Sequence, residues 1–126
     1  MILCDTNIFI ELFKGNIAVI QQLYAIGAKN IAISVISKAE LFYGARDKLE
    51  LAHIAKHLEQ LQCYPVTELD SALFIRLMQE YSLSHKSSIR DMLIAATAIN
   101  QGLELYTLNA KDFKFISAIQ LYYPET

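Results

Sequence analysis

Residues 1–12 read MILCDTNIFIEL, and the fold turns on why a carboxylate, Asp5, directly follows an apolar run. Ile2, Leu3 and Cys4 have the composition of a strand covered on both faces, as in a parallel sheet. An acid at the end of such a strand must be solvated, capped or bound, because an unpaired buried charge is strongly disfavoured. Outward from this stretch, short apolar runs alternate with helical patterns. The spacing predicts strands over 2–5, 30–34, 63–66, 104–107 and 119–121. Helices are expected over 7–14, 17–26, 37–46, 49–61, 68–82 and 89–101, with a polar loop over 82–88 and a short helix near 111–115. Leu51, Ile54, Ala55, Leu58 and Leu61 recur at helical spacing, and Gly102 supplies a helix stop. The alternation predicts an α/β fold: a three-layer sandwich with a central parallel β-sheet of about five strands, flanked by helices. The 126 residues are expected to form one domain, 1–126, around one core.

Composition narrows the class. Hydrophobic residues make up 54% of the chain, and mean hydropathy is +0.29, so some apolar surface is expected to be covered by a partner. A net charge of −2 lacks the basic footprint of a bulk nucleic-acid binder, so RNA binding would need a local patch or a bound metal. The longest apolar stretch, Met92 to Ile99, is too short to span a bilayer, and the N-terminus carries Asp5 and Glu11 in place of a basic leader. A cytoplasmic protein without membrane segments is expected. Cys4 and Cys63 lie in apolar, strand-like runs and read as free buried thiols of a reducing compartment. His53 and His57 form an i,i+4 pair with no cysteine or third histidine nearby, so they read as surface helix residues rather than zinc ligands.

Ligands of open parallel sheets bind beyond the carboxyl ends of the strands. Asp5 lies at such an end, and Glu40 lies just past the second strand. Asp91 begins the helix that feeds strand 104–107, and Asn109 and Asp112 follow that strand. All are therefore expected at one edge. A competing account is local. Ser37–Glu40, Thr67–Asp70, Ser88–Asp91 and Asn109–Asp112 all have the spacing of a capping box, which contributes about 1 kcal/mol to a helix start. Capping accounts for Glu40, Asp91 and Asp112 as well as chemistry does, and for Asp70 better. It does not explain Asp5, because Thr6 and Asn7 can cap the first helix themselves, although a local role in which Asp5 bonds free amides of that helix start stays open. Carboxylates gathered at one edge repel by about 4 kcal/mol per pair at 4 Å near a surface, and a divalent cation relieves this. Oxygen-only ligands favour Mg²⁺ or Mn²⁺.

The stretches CDTNIFIEL, SVISKAELFYGA, IRDMLIAATAI and TLNAKDF, in that order, resemble the PIN-domain nucleases, above all the VapC-type toxins of type II toxin–antitoxin modules. The resemblance implies a Mg²⁺-dependent endoribonuclease that forms a homodimer and is inhibited by a small antitoxin entering its active-site groove. It further implies Asp5, Glu40 and Asp91 as catalytic, metal-holding acids. The fourth acidic position falls at Asn109 or at Asp112. Thr6 and Asn7 match the D-T-N opening, where they orient Asp5 or a water, or simply cap the helix. Lys38, Arg46, Lys86, Arg90 and Lys111 lie near the predicted edge, where they can hold an RNA backbone, although a solvated helix face is the commoner fate of any one of them. Phe42 and Tyr43 can stack a base, with packing the commoner role. Apolar groups within 9–13, 41–43 and 49–61 are expected to line the antitoxin groove or the dimer interface. Two other classes compete. A dehalogenase-type phosphatase needs an acid where this chain has Asn7. A PIN-like binding module without catalysis is disfavoured by the presence of Asp5, Glu40 and Asp91.

Overall fold

The computed structural model describes residues 1–124. Four parallel strands, β1 (Ile2–Cys4), β2 (Ile31–Ser34), β3 (Gln62–Tyr64) and β4 (Glu104–Tyr106), lie in the order β3-β2-β1-β4. Six helices join them: α1 (Thr6–Phe13), α2 (Ile17–Ile26), α3 (Val35–Tyr43), α4 (Lys48–Leu58), α5 (Glu68–His85) and α6 (Ile89–Gln101). Register pairs Ile2 with Ile31 on one side of β1 and with Glu104 on the other.

The three layers follow from the two-residue period of the strands. Leu3, Ala32 and Leu105 point to one face, where they join Leu77 of α5 and Met92, Ala95 and Ala96 of α6 in one core. Cys4, Ile31, Ile33 and Tyr106 point to the other face and pack with Ile8, Phe9, Val19, Leu23, Ile54 and Leu58 of α1, α2 and α4. Helix α3 straddles the edge, with Ile36 against the first core and Leu41 in the second. Helix α6 buries more than one face because its alanines let α5 and the sheet approach from both sides.

Several element ends differ from expectation, each for a local reason. The fifth strand is a single parallel bridge, Leu105 to Leu121. Leu105 N donates to Gln120 O, and Tyr122 N donates to Leu105 O, both at 2.8 Å. The next donor in a parallel ladder would be residue 124, a proline without an N–H, so the pairing ends there. Pro65 likewise closes β3 at Tyr64. Helix α5 runs three residues past the predicted Ser82, to His85, and stops where Lys86 adopts a left-handed conformation with φ 50°. The predicted helix at 111–115 is a 3-10 turn, Ala110–Asp112. Helix α3 begins at Val35, two residues early, because Ser34 caps it: its hydroxyl accepts from Ser37 N at 3.0 Å.

Both cysteines are free. They stand on β1 and β3, with β2 between, which is about 10 Å of strand spacing and beyond disulfide reach. Burial, and then the neighbouring Asp5 charge, push the Cys4 thiol up to about 12. Cys4 is therefore expected to resist a thiol-labelling reagent at pH 8 in the native protein, while the half-buried Cys63 reacts. Mass spectrometry of the labelled protein before and after unfolding checks this. Modification of Cys4 in the native state would contradict it.

Candidate active site

The site starts from the end of β1. Asp5 N donates to Tyr106 O at 2.9 Å, continuing the ladder, and the extended backbone of Asp5 then serves as N-cap of α1. Its side chain is buried and bonded on both oxygens. Oδ1 accepts from Thr6 N at 2.7 Å and from Arg90 Nη2 at 2.6 Å, and Oδ2 accepts from Thr107 Oγ1 at 2.8 Å. Of the two local readings, capping by Thr6 and Asn7 is corrected, and the bond of Asp5 to a free amide of the helix start is the one formed. Asp5 caps the helix itself, because it alone at the turn has extended backbone and an oxygen facing the free amide.

Glu40 reaches the same place from α3. Since Ser34 rather than Ser37 caps that helix, Glu40 falls in its second turn, beyond capping range. Both its carboxylate oxygens accept from Arg90 Nε, at 2.8 and 2.7 Å, and Oε1 also accepts from Thr6 Oγ1 at 2.7 Å. Ser37 Oγ lies 2.8 Å from the same threonine hydroxyl. Asp91 arrives from the first turn of α6. Ser88 Oγ accepts from its amide at 3.0 Å, but the reciprocal half of a capping box is not formed. The Asp91 carboxylate accepts instead from Arg90 Nη1.

Arg90 is the centre of this arrangement. One guanidinium bonds Asp5, Glu40 and Asp91, so three carboxylates face one cation and the cluster keeps a net charge of −2. Half-burial works to lower the Arg90 pKa, but the Asp5 charge and the hydrogen bonds to Glu40 and Asp5 outweigh it and raise it. Half-burial, the largest influence, raises the Asp91 pKa, and the Asp5 charge adds to it against the pull of Arg90. From the sequence, Arg90 reads as a candidate RNA-backbone contact and Thr107 receives no role. The signal for Arg90 is its position: a cation in the first turn of a helix opposes the helix dipole and needs another reason to be there.

The other expected residues fall around this cluster. Asn7 bridges to the end of β4, with Nδ2 donating to Thr107 Oγ1 at 3.4 Å and Oδ1 accepting from Leu108 N at 3.3 Å. It therefore acts on Asp5 through Thr107. Asn109 N also donates to Thr107 Oγ1, at 3.1 Å, and the Asn109 side chain caps nothing. Asp112 shares a groove of about 310 Å³ with Asp91, Lys86, Lys111 and His85. Neither Asn109 nor Asp112 bonds to Arg90. Asp70 lies elsewhere. It completes a full capping box with Thr67 and accepts from Asn100 Nδ2 at 2.8 Å and Thr97 Oγ1 at 3.4 Å. Among the basic candidates, Arg46 pairs with Glu50 at 2.7 Å.

Among the described residues, no three His, Cys, Asp or Glu side chains converge on one point at ligand spacing. The carboxylates of Asp5, Glu40 and Asp91 are spread around a planar fork. The donor set nonetheless suits a hard divalent cation, being all oxygen and carrying an excess of two negative charges.

The PIN-domain family profile matches residues 2–118. The chain belongs to the PIN-domain family. Ribonuclease VapC10 of Mycobacterium tuberculosis is 34% identical over 122 residues, covering 95% of this chain and 91% of that protein. Ribonuclease VapC1 of Rickettsia felis is 29% identical over 134 residues, covering 95% and 93%. Among solved structures, a toxin–antitoxin complex from Klebsiella pneumoniae superposes with a TM-score of 0.82 at 31% identity, covering 99% of this chain and 100% of that one. VapBC2 from Rickettsia felis, bound to a DNA fragment from its promoter, gives 0.82 at 29% identity, covering 97% and 98%.

Two apolar grooves run along the PIN domain on the α1 side. One, of about 590 Å³, lies between α1, α3 and α4 and is lined by Ile10, Phe13, Leu41 and Ile54, with Glu40 among its walls. The other, of about 720 Å³, is lined by Phe9, Leu12, Ile20, Leu23 and Leu61. Of the apolar segments expected to serve partners, Phe9, Leu41, Ile54 and Leu58 are core residues, because the second face of the sheet needs them. Tyr43 and Leu49 stand in solvent, and Phe42 packs against the core. His53 and His57 are exposed on α4, edge to face at 4.5 Å. His85 stacks on Phe115 at 3.9 Å. Among the described residues, no helix is long and apolar enough to cross a membrane.

Proposed function

We propose that this PIN domain is a divalent-metal-dependent endoribonuclease, the toxin of a type II toxin–antitoxin module acting in the cytoplasm. The observation that carries the reading is the meeting of Asp5, Glu40 and Asp91 from three elements at the carboxyl edge of a parallel sheet, with a charge excess that matches Mg²⁺ or Mn²⁺. The VapC relatives, named as ribonucleases, support the same reading. Asp5 and Asp91 would hold the cation, with Glu40 and Asp112 flanking it. Such an ion, when bound, activates water and offsets charge developing on phosphoryl oxygens. Thr107, fixed by Asn7 and by the Asn109 amide, keeps Asp5 oriented. Glu40 is the most open of the three acids, which suits it to accept a proton from the attacking water. Lys86 and Lys111 line the groove beside Asp91, where they would hold the RNA backbone. The groove that includes Glu40 leads from the apolar α1–α3–α4 surface to the acids and suits a small antitoxin. A homodimer is part of the reading, and a monomer at high concentration by light scattering would remove it.

A second reading rests on Arg90. A guanidinium that satisfies all three acids can also make the cluster a structural knot in a catalytically silent module that binds RNA or protein. Cleavage of a cellular RNA pool separates the two. Antitoxin-free protein is expected to cut with Mg²⁺ or Mn²⁺ and to stop in excess EDTA. Asp91→Asn is expected to lower the rate by at least about 100-fold. Its metal-free melting temperature should match or exceed that of the parent chain, because burial and the Asp5 charge disfavour ionised Asp91. No cutting by folded protein with any metal would favour the silent module.

A further inference from the structure

We propose that Arg90 is a positioning residue whose guanidinium holds Asp5, Glu40 and Asp91 in the metal-free protein and competes with the divalent cation for them. The inference rests on the metal-dependent reading above. Nε is spent on Glu40, Nη1 on Asp91, and Nη2 on Asp5 Oδ1 and Thr6 Oγ1, the last two at 2.6 and 2.7 Å. The remaining Asp5 oxygen is held by Thr107. A cation reaching Asp5 Oδ1 must therefore replace Nη2. A guanidinium does not leave by losing its proton, so it must move as a charged group. The Arg90 side chain is 32% exposed, against 2% for Asp5, and so has solvent on one side into which it can swing. The fork also spaces the three acids, which otherwise repel one another. Arg90 thus preserves the site in the absence of metal and weakens the affinity with which metal enters it.

The test is Mn²⁺ binding by titration calorimetry on antitoxin-free protein, comparing the parent chain with Arg90→Met, Arg90→Lys and Asp91→Asn. Arg90→Met is expected to bind Mn²⁺ at least about tenfold more tightly than the parent, since a positive charge beside the ion is gone. Its metal-free melting temperature should fall, and Mn²⁺ should raise it by more than it raises the parent's. Arg90→Lys keeps the charge but loses the fork and should shift affinity the same way by less, so it decides the matter if Arg90→Met does not fold. A purely structural role for Arg90 would not tighten metal binding. Unchanged or weaker Mn²⁺ binding by the Arg90 variants, with binding by the parent and loss in Asp91→Asn, overturns this inference alone. No Mn²⁺ binding by any of the proteins overturns it together with the metal-dependent reading.

Discussion

Asp5→Asn is expected to lower RNA cleavage by at least about 100-fold, while the protein remains folded. The substitution keeps shape and one acceptor oxygen, which can still receive Thr6 N and Arg90. The new amide group then faces Thr107, whose hydroxyl already accepts from Asn7 Nδ2 and Asn109 N, so the Thr107–Asp5 hydrogen bond is lost. The charge is lost with it. Arg90 keeps Glu40 and Asp91 as partners, so no unpaired cation is left behind. The stability cost should accordingly be about 2 kcal/mol, the scale of a hydrogen bond to a charged group. Cleavage rates and thermal melts on the same preparations check both halves. Activity within tenfold of the parent would remove Asp5 from the catalytic role.

Asp70→Ala is expected to do the reverse. Asp70 is fully buried and accepts from Thr67 N, Asn100 Nδ2 and Thr97 Oγ1, tying the start of α5 to the middle of α6. Alanine removes the acceptor of Thr67 N and of Asn100 Nδ2, which stands at the surface and can turn to water, while Thr97 Oγ1 keeps its bond to Leu93 O. The expected loss is about 2–3 kcal/mol, from a lost helix cap and hydrogen bonds to a carboxylate, seen as a lower denaturation midpoint. The fraction that stays folded should cleave RNA at the parental rate, because no Asp70 contact reaches Arg90, Asp5 or Glu40. Loss of cleavage by folded Asp70→Ala would show that the α5–α6 contact positions the site after all. The pair of variants separates two buried carboxylates of opposite purpose.

Much of the architecture is legible in short patterns. Leu3 and Cys4, or Ala32 and Ile33, need only their two-residue alternation to be assigned to opposite faces, and Gly102 announces the end of α6. The misreadings are instructive. Ser34 and Ser37 are both fair caps from composition, and a shift of three residues decides whether Glu40 caps a helix or faces the site. The strand at 119–121 has the right residues, but Pro124 withholds the amide that would extend it. Helix α5 outlasts its apolar pattern because the chain continues helically until Lys86 turns left-handed.

The sequence by itself determined the alternation of strands and helices, the two apolar faces, and the anomaly of Asp5 at a strand end, because these are encoded in residues a few positions apart. Only the tertiary structure decided which acids meet. Arg90 finds Glu40 across 50 residues and Asp5 across 85, and Thr6 finds Glu40 across 34. Local spacing cannot distinguish a carboxylate that caps its own helix from one that leans across the sheet edge to a distant guanidinium. That choice depends on which charges the packed layers bring within hydrogen-bond distance and remove from water.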